Sequence, residues 1–148
     1  MAVDPGLAGR VLAPTPAYDV SRSAIASFAA AIGSDDPVHL DVAAAHAAGH
    51  RDVVAPPTFP IVVAFQAMRT LLADPQAGIE LRNVVHAQQR FEYQRPVFAG
   101  DVLTATLTVE SVRRAAGTDL LATRSDISTA DGELVCAAYA NLAHRAPV

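Results

Sequence analysis

The sequence predicts an α+β fold in which one antiparallel sheet curls around a single long apolar helix. Two observations carry this. Residues 59–73 hold Ile61, Val62, Val63, Phe65, Met68, Leu71 and Leu72 with almost no polar face, and a helix apolar all round is a buried one. Beyond residue 84 the apolar spacing changes to period two and keeps that period through four runs. Nothing else in the chain can cover the helix, so the strands must wrap it.

The elements follow in order. Residues 1–17 contain Pro5, Pro14 and Pro16 and read as an extended lead-in, with Tyr18-Asp19-Val20 as a short strand. Ser21 suits the N-cap of a helix over 22–32, where Ile25, Phe28, Ala29 and Ile32 share one face, and Gly33 ends it. Pro37 stops the next segment from continuing that helix. A short helix over 42–48 begins after Asp41 and stops before Gly49. Thr58 is placed to cap the central helix, with Pro60 in its first turn, where a missing N–H costs nothing. Strands are expected over 84–94, 101–112, 119–129 and 133–143, with an Asp131-Gly132 turn before the last. There is no repeat and no linker, so residues 1–148 form one domain.

Composition excludes several functions. All 11 basic residues are Arg, scattered along a chain of net charge −4, which leaves no footprint for nucleic acid. Without Lys there is no Schiff-base chemistry. The single Cys136 cannot form an internal disulfide and reads as a small buried hydrophobe. No apolar run approaches the roughly 18 residues of a membrane span, so a cytoplasmic protein is expected. His46 and His50 lack a third ligand, and no metal site is expected.

The chemistry-bearing segment is Gly33-Ser34-Asp35-Asp36-Pro37-Val38-His39, an irregular stretch between two helices, where functional side chains are commonly kept. It is followed by Asp52-Val53-Val54-Ala55-Pro56-Pro57-Thr58-Phe59, Val85-His86, Phe91-Glu92-Tyr93 and Arg95-Pro96-Val97-Phe98-Ala99-Gly100-Asp101. In this order the segments resemble the MaoC-like (R)-specific enoyl-thioester hydratases and (3R)-hydroxyacyl-ACP dehydratases over nearly the whole chain. The resemblance is greatest to their actinobacterial single-hot-dog branch, the FAS1-like dehydratase domain. It implies a hot-dog fold, a homodimer or a heterodimer with a second hot-dog subunit, and an acyl-CoA or acyl-ACP thioester as ligand. It implies no cofactor beyond the CoA or phosphopantetheine arm of that substrate.

The active family motif reads Gly-Asp-x-Asn-Pro-(Leu/Ile/Val)-His. His39 matches its histidine, Asp36 stands for the asparagine, and Ser34 replaces the catalytic aspartate. Active members also open the central helix with His-Gly, whose glycine N–H helps bind the thioester oxygen. This chain has Pro56-Pro57 there, and Pro57 has no N–H. A positioned base contributes roughly 10²–10⁴-fold and an oxyanion donor about 10²–10³-fold, so both changes are serious.

The candidate catalytic residues are therefore His39, Asp36 and Ser34, with Thr58, His86 and Phe65 as candidate substrate-binding residues. Each also has a plain structural reading. His39 can cap a neighbouring loop, Ser34 can cap past the first helix, and His86 can be a hydrogen-bonded core histidine, or line the acyl channel or dimer seam. Asp101 reads as a turn residue and Arg95-Pro96 as the shaping of a strand end. Arg51, Arg82, Arg90 and Arg95 are the cations available for CoA phosphates.

The leading expectation is the catalytically incomplete, acyl-binding subunit of a dehydratase. The alternatives are a self-sufficient homodimeric hydratase using His39 with Asp36 or Asp35, and a module that binds thioester or partner without reaction. A hot-dog thioesterase ranks low because residues 59–73 carry no acid before Asp74.

Overall fold

A computed structural model describes residues 2–145. Five antiparallel strands form one sheet: β1 (Tyr18–Asp19), β2 (Val84–Tyr93), β3 (Val102–Ala115), β4 (Thr118–Thr129) and β5 (Leu134–Arg145), in the order β1-β3-β4-β5-β2. Three α-helices accompany it: α1 (Arg22–Ala31), α2 (Val42–Ala47) and α3 (Ile61–Ala73). α3 lies against β3 and β4, and its Val63, Ala64, Ala67, Met68 and Leu71 are buried. The sheet answers with Leu103, Ala105, Leu107 and Val109, each 0% exposed, on the phase that the alternation indicated.

The β3–β4 hairpin turns at Ala116-Gly117, both left-handed with φ of 48 and 76. That is the pair of positive φ values a two-residue turn needs to match strand twist. Ser21 caps α1 by accepting the Ala24 N–H at 3.0 Å, as its position suggested. Ile32 departs from expectation. It lies past the last helical residue, as the C-cap, and is 51% exposed rather than buried with Ile25.

The lead-in does more than approach the sheet. Gly9 and Leu12 donate to the carbonyls of Val109 and Leu107, Thr15 donates to Ala105, and Val109 donates back to Arg10. These bonds cover the outer edge of β3, which β1 occupies only at Leu103 and Val102. The opposite edge is different. β2 bonds to β5 on one side only, and Val85 is 63% exposed along it. An uncovered ten-residue edge strand invites a further strand.

The central helix also begins later than expected. Thr58 does not cap it, because Ile61, Val62 and Val63 already donate to the carbonyls of Thr58, Phe59 and Pro60 at 3.1, 2.9 and 3.2 Å. The first-turn donors are thus satisfied by a tight backbone turn, and no side-chain cap is needed. Nor is α3 apolar on every side: Phe65 is 45% exposed, and Arg69 and Thr70 face solvent.

Candidate functional site

The loop after α1 is set by its glycine. Gly33 takes φ of 72, which lets its own N–H reach Ala30 O at 3.1 Å and the Ser34 N–H reach Ala29 O at 2.8 Å. This is a Schellman closure. The backbone of Ser34, not its side chain, finishes the helix, and its half-buried hydroxyl has no hydrogen-bond partner among the described residues. Asp36 then caps the turn Pro37–His39, its Oδ1 accepting the Val38 N–H at 3.1 Å. Asp35 is exposed.

His39 is 8% exposed, with Nδ1 2.6 Å from the Val54 carbonyl oxygen. A carbonyl only accepts, so Nδ1 carries a proton, and in the neutral ring the lone pair lies on Nε2. Nε2 has no partner, yet it is not sealed in. Among the described residues the one buried side-chain polar atom lacking a partner is Nδ1 of His144. His39 is therefore both a structural tie and a base-capable ring. Its Val54 contact fastens the loop to the segment leading into α3, where Val54 also donates to Val38 O at 2.9 Å.

At that helix mouth the donors are few. Pro56, Pro57 and Pro60 have no N–H, and Phe59 spends its own on Pro56 O at 2.9 Å. The Thr58 N–H has no partner among the described residues, and Thr58 is exposed. The Pro57 carbonyl is taken by the Tyr93 hydroxyl at 2.6 Å, which ties the end of β2 to this turn. Burial pushes the Tyr93 phenol above its ordinary range. A groove of about 430 Å³ runs beside this contact, lined by Val54, Ala55, Pro57 and Tyr93 and, beyond them, Arg95 and Val97.

A second polar cluster was not visible as such in the sequence. Asp101 is 5% exposed and accepts Arg95 twice (2.9 and 3.1 Å), Arg51 at 2.6 Å and the Phe98 N–H at 2.9 Å. Arg95 also reaches Glu133 at 2.6 Å. The hydrogen bonds to Asp101 chiefly hold the Arg95 guanidinium protonated. Asp101 thus belongs to a turn, as expected, but as the anchor of an ion cluster whose accepting sites are filled. Arg95 does more than shape a strand end.

The same holds for the cations considered for phosphate. Arg51 and Arg95 serve Asp101, Arg82 serves Glu80, and Arg90 pairs with Glu92 while stacking 4.0 Å over the Tyr139 ring. Arg69 has no carboxylate partner among the described residues, and it faces a groove of about 760 Å³ beside the lead-in.

His86 and Phe65 come together. Both line a narrow crevice between α3 and the sheet, where His86 Nε2 sits 3.0 Å from Gln89 Oε1. His86 is exposed on the edge strand, so its core reading is corrected. Thr58 joins neither this crevice nor the His39 loop through any side-chain bond. His46 gives Nε2 to the Arg51 carbonyl at 3.0 Å, and the His50 ring lies against Phe98. No cluster of three or more potential metal ligands occurs among the described residues, and none of their helices is long and apolar enough to cross a membrane.

A sheet rolled around one central helix, with a loop histidine fastened to the segment entering that helix, defines a hot-dog protein of the dehydratase and hydratase class. The chain belongs to the FAS1-like dehydratase domain region family, whose model matches residues 7–138. It is 46% identical over 146 residues to a UPF0336 protein of Streptomyces griseus subsp. griseus, covering 99% of this chain and 97% of that one. With a UPF0336 protein of Leifsonia xyli subsp. xyli it shares 50% over 143 residues, 97% and 96% of the two chains. Among solved structures, a chain of the truncated HadBC (3R-hydroxyacyl-ACP dehydratase) complex of Mycobacterium tuberculosis superposes with a TM-score of 0.84. It is 33% identical, and the match covers 93% of this chain and 96% of that one. The (R)-hydratase of A. caviae, at 23% identity and TM-score 0.68 over 95% of this chain and 96% of its own, shares the fold.

Proposed function

We propose that this chain is the catalytically incomplete, acyl-binding subunit of an (R)-specific 3-hydroxyacyl-thioester dehydratase, acting on a CoA or carrier-protein thioester. One observation carries the reading. Where elimination needs a base and a donor to the thioester oxygen, the chain offers a Ser34 hydroxyl and an N–H-less Pro57 whose carbonyl is bonded to Tyr93. A serine hydroxyl takes no proton near neutral pH. Asp36 is occupied as a cap, and Asp35 points no bond at His39.

The sister chain would supply the complete loop. The bare β2 edge, with Val85 and Phe65 exposed near it, is the surface on which two such chains join. The HadBC chain is itself part of a dehydratase complex, which supports a paired assembly. No cofactor is required, since the CoA or phosphopantetheine arm arrives with the substrate. Isothermal titration of the purified protein with crotonyl-CoA and a longer trans-2-enoyl-CoA tests the binding half of this reading. Saturable binding supports it, and none at millimolar ligand contradicts it.

The self-sufficient homodimer keeps one specific support. The unpartnered Thr58 N–H lies one residue from Pro57, and His39 Nε2 is free. In that reading Thr58 N–H takes the thioester oxygen, and His39, aided by Asp36 or Asp35, moves the proton. A module that binds without reacting is the remaining outcome, marked by tight thioester binding and no turnover even with a sister chain present.

A further inference from the structure

The core layer between α3 and the sheet has a gap. Along β4 the inward residues run Leu121, Thr123, Ser125, Ile127, and all four are 2% exposed or less. Their β5 neighbours are Leu142, Ala140, Ala138 and Cys136. Large side chains thus flank a patch of Thr123, Ser125, Ala138 and Ala140, and Ala64 of α3 stands opposite. Native interiors fill such layers to crystal-like density. Here the space is left as a crevice of about 10 Å³, room for one water or one oxygen-bearing group.

The floor of that crevice is polar. Thr123 reaches the Ala140 carbonyl only at 3.4 Å. The Ser125 hydroxyl lines the crevice and has no partner among the described residues, although the residue is 2% exposed. Since the one sealed-in side-chain polar atom without a partner among the described residues is His144 Nδ1, the Ser125 hydroxyl is open to the crevice, and covering it without a partner costs free energy. Of its lining residues, Phe65 is half-exposed and His86, bonded to Gln89 on the β2 edge strand, is exposed too. Ser34, Asp36 and His39 do not line it, so it is separate from this chain's own motif loop.

We propose that this crevice is a subsite for an oxygen atom carried on the acyl chain beyond C3, with Ser125 as its hydrogen-bond partner and Thr123 beside it. The inference rests on the acyl-thioester reading above and narrows it to chain-oxygenated acyl groups, hydroxyl or oxo. An alkyl chain alone leaves the Ser125 hydroxyl facing methylene, whereas a site built for an oxygen discriminates strongly against its absence.

The test uses the purified protein and CoA thioesters of one length: plain decanoyl, and decanoyl bearing a hydroxyl or an oxo group at successive carbons beyond C3. Calorimetry should find one oxygen position bound about 10-fold or more tighter than the plain chain. The hydroxy and oxo arms decide whether Ser125 accepts or donates. Ser125→Ala should bring that preference to within about 2-fold, by weakening the oxygenated chain and relieving the plain one. Thr123→Val, nearly isosteric, should reduce it less, and melting curves check that both variants fold. Equal binding at every position overturns the subsite alone, as does a preference that survives Ser125→Ala. A crystal of the complex with only a water in the crevice overturns it too. Failure of every thioester to bind overturns the subsite and the acyl-thioester reading together.

Discussion

On the proposed reading, Ser34→Asp combined with Pro57→Gly should turn the incomplete subunit into a measurable hydratase. The structure allows both changes. At position 34 the backbone N–H closes α1 and the hydroxyl is unpartnered, so an aspartate leaves the Schellman bonds in place. Pro57 is exposed, and its carbonyl rather than its ring holds Tyr93, so glycine keeps that bond and adds an N–H. The stability cost of Pro57→Gly is about 1 kcal/mol, mostly from a freer unfolded chain. A positioned base is worth roughly 10²–10⁴-fold and an oxyanion donor about 10²–10³-fold, so the double variant should gain about 10⁴-fold or more over wild type. Groups that act as a unit are not additive, so each single variant should gain far less than its nominal share. The assay is loss of the enoyl-thioester absorbance of crotonyl-CoA, with melting curves alongside. A folded double variant no faster than buffer would refute the view that these two positions are what the chain lacks.

Three further outcomes are expected. Asp101→Asn should cost about 2 kcal/mol in urea unfolding, below the roughly 3–5 of a fully buried pair, because the Arg51 side chain is 59% exposed and that of Arg95 21%. No loss there would mean that the cluster is incidental. Arg22 donates to Asp52 and the Val53 N–H adds to it, together holding that carboxyl down at about 2 against an ordinary 3.8. Its stabilisation is therefore complete above about pH 4 and lost as pH falls toward 2, so the gap between wild type and Asp52→Asn should close over that window. Wild type should sediment as a dimer at micromolar protein, and Val85→Asp, on the bare β2 edge, should shift it toward monomer; an unchanged dimer places the interface elsewhere.

Much of the fold was legible because burial writes itself as periodicity. The period-two runs from Leu103 to Val109 and the apolar face of α3 map directly onto the core. The lead-in's cover of β3 left no such trace, since it is made by backbone bonds between residues about as far apart as Leu12 and Leu107. Thr58 looked like a cap because residue type alone does not tell whether backbone carbonyls have already satisfied the first turn. Arg95 and Asp101 are near in sequence, but Arg51 joins them from 50 residues away. Of the candidate site residues, Ser34, Asp36 and His39 share one loop, while His86 and Phe65 meet at the crevice. Thr123 and Ser125 were passed over, although two hydroxyl residues on the buried phase of β4 were the available signal.

The most direct test of the central claim is the hydration rate of the purified chain alone with crotonyl-CoA and a longer trans-2-enoyl-CoA. The account predicts bound thioester and no turnover above the protein-free rate, with activity appearing only when a sister chain supplies the missing loop. Turnover by the chain alone that vanishes in His39→Ala would contradict it, and would make this a self-sufficient hydratase.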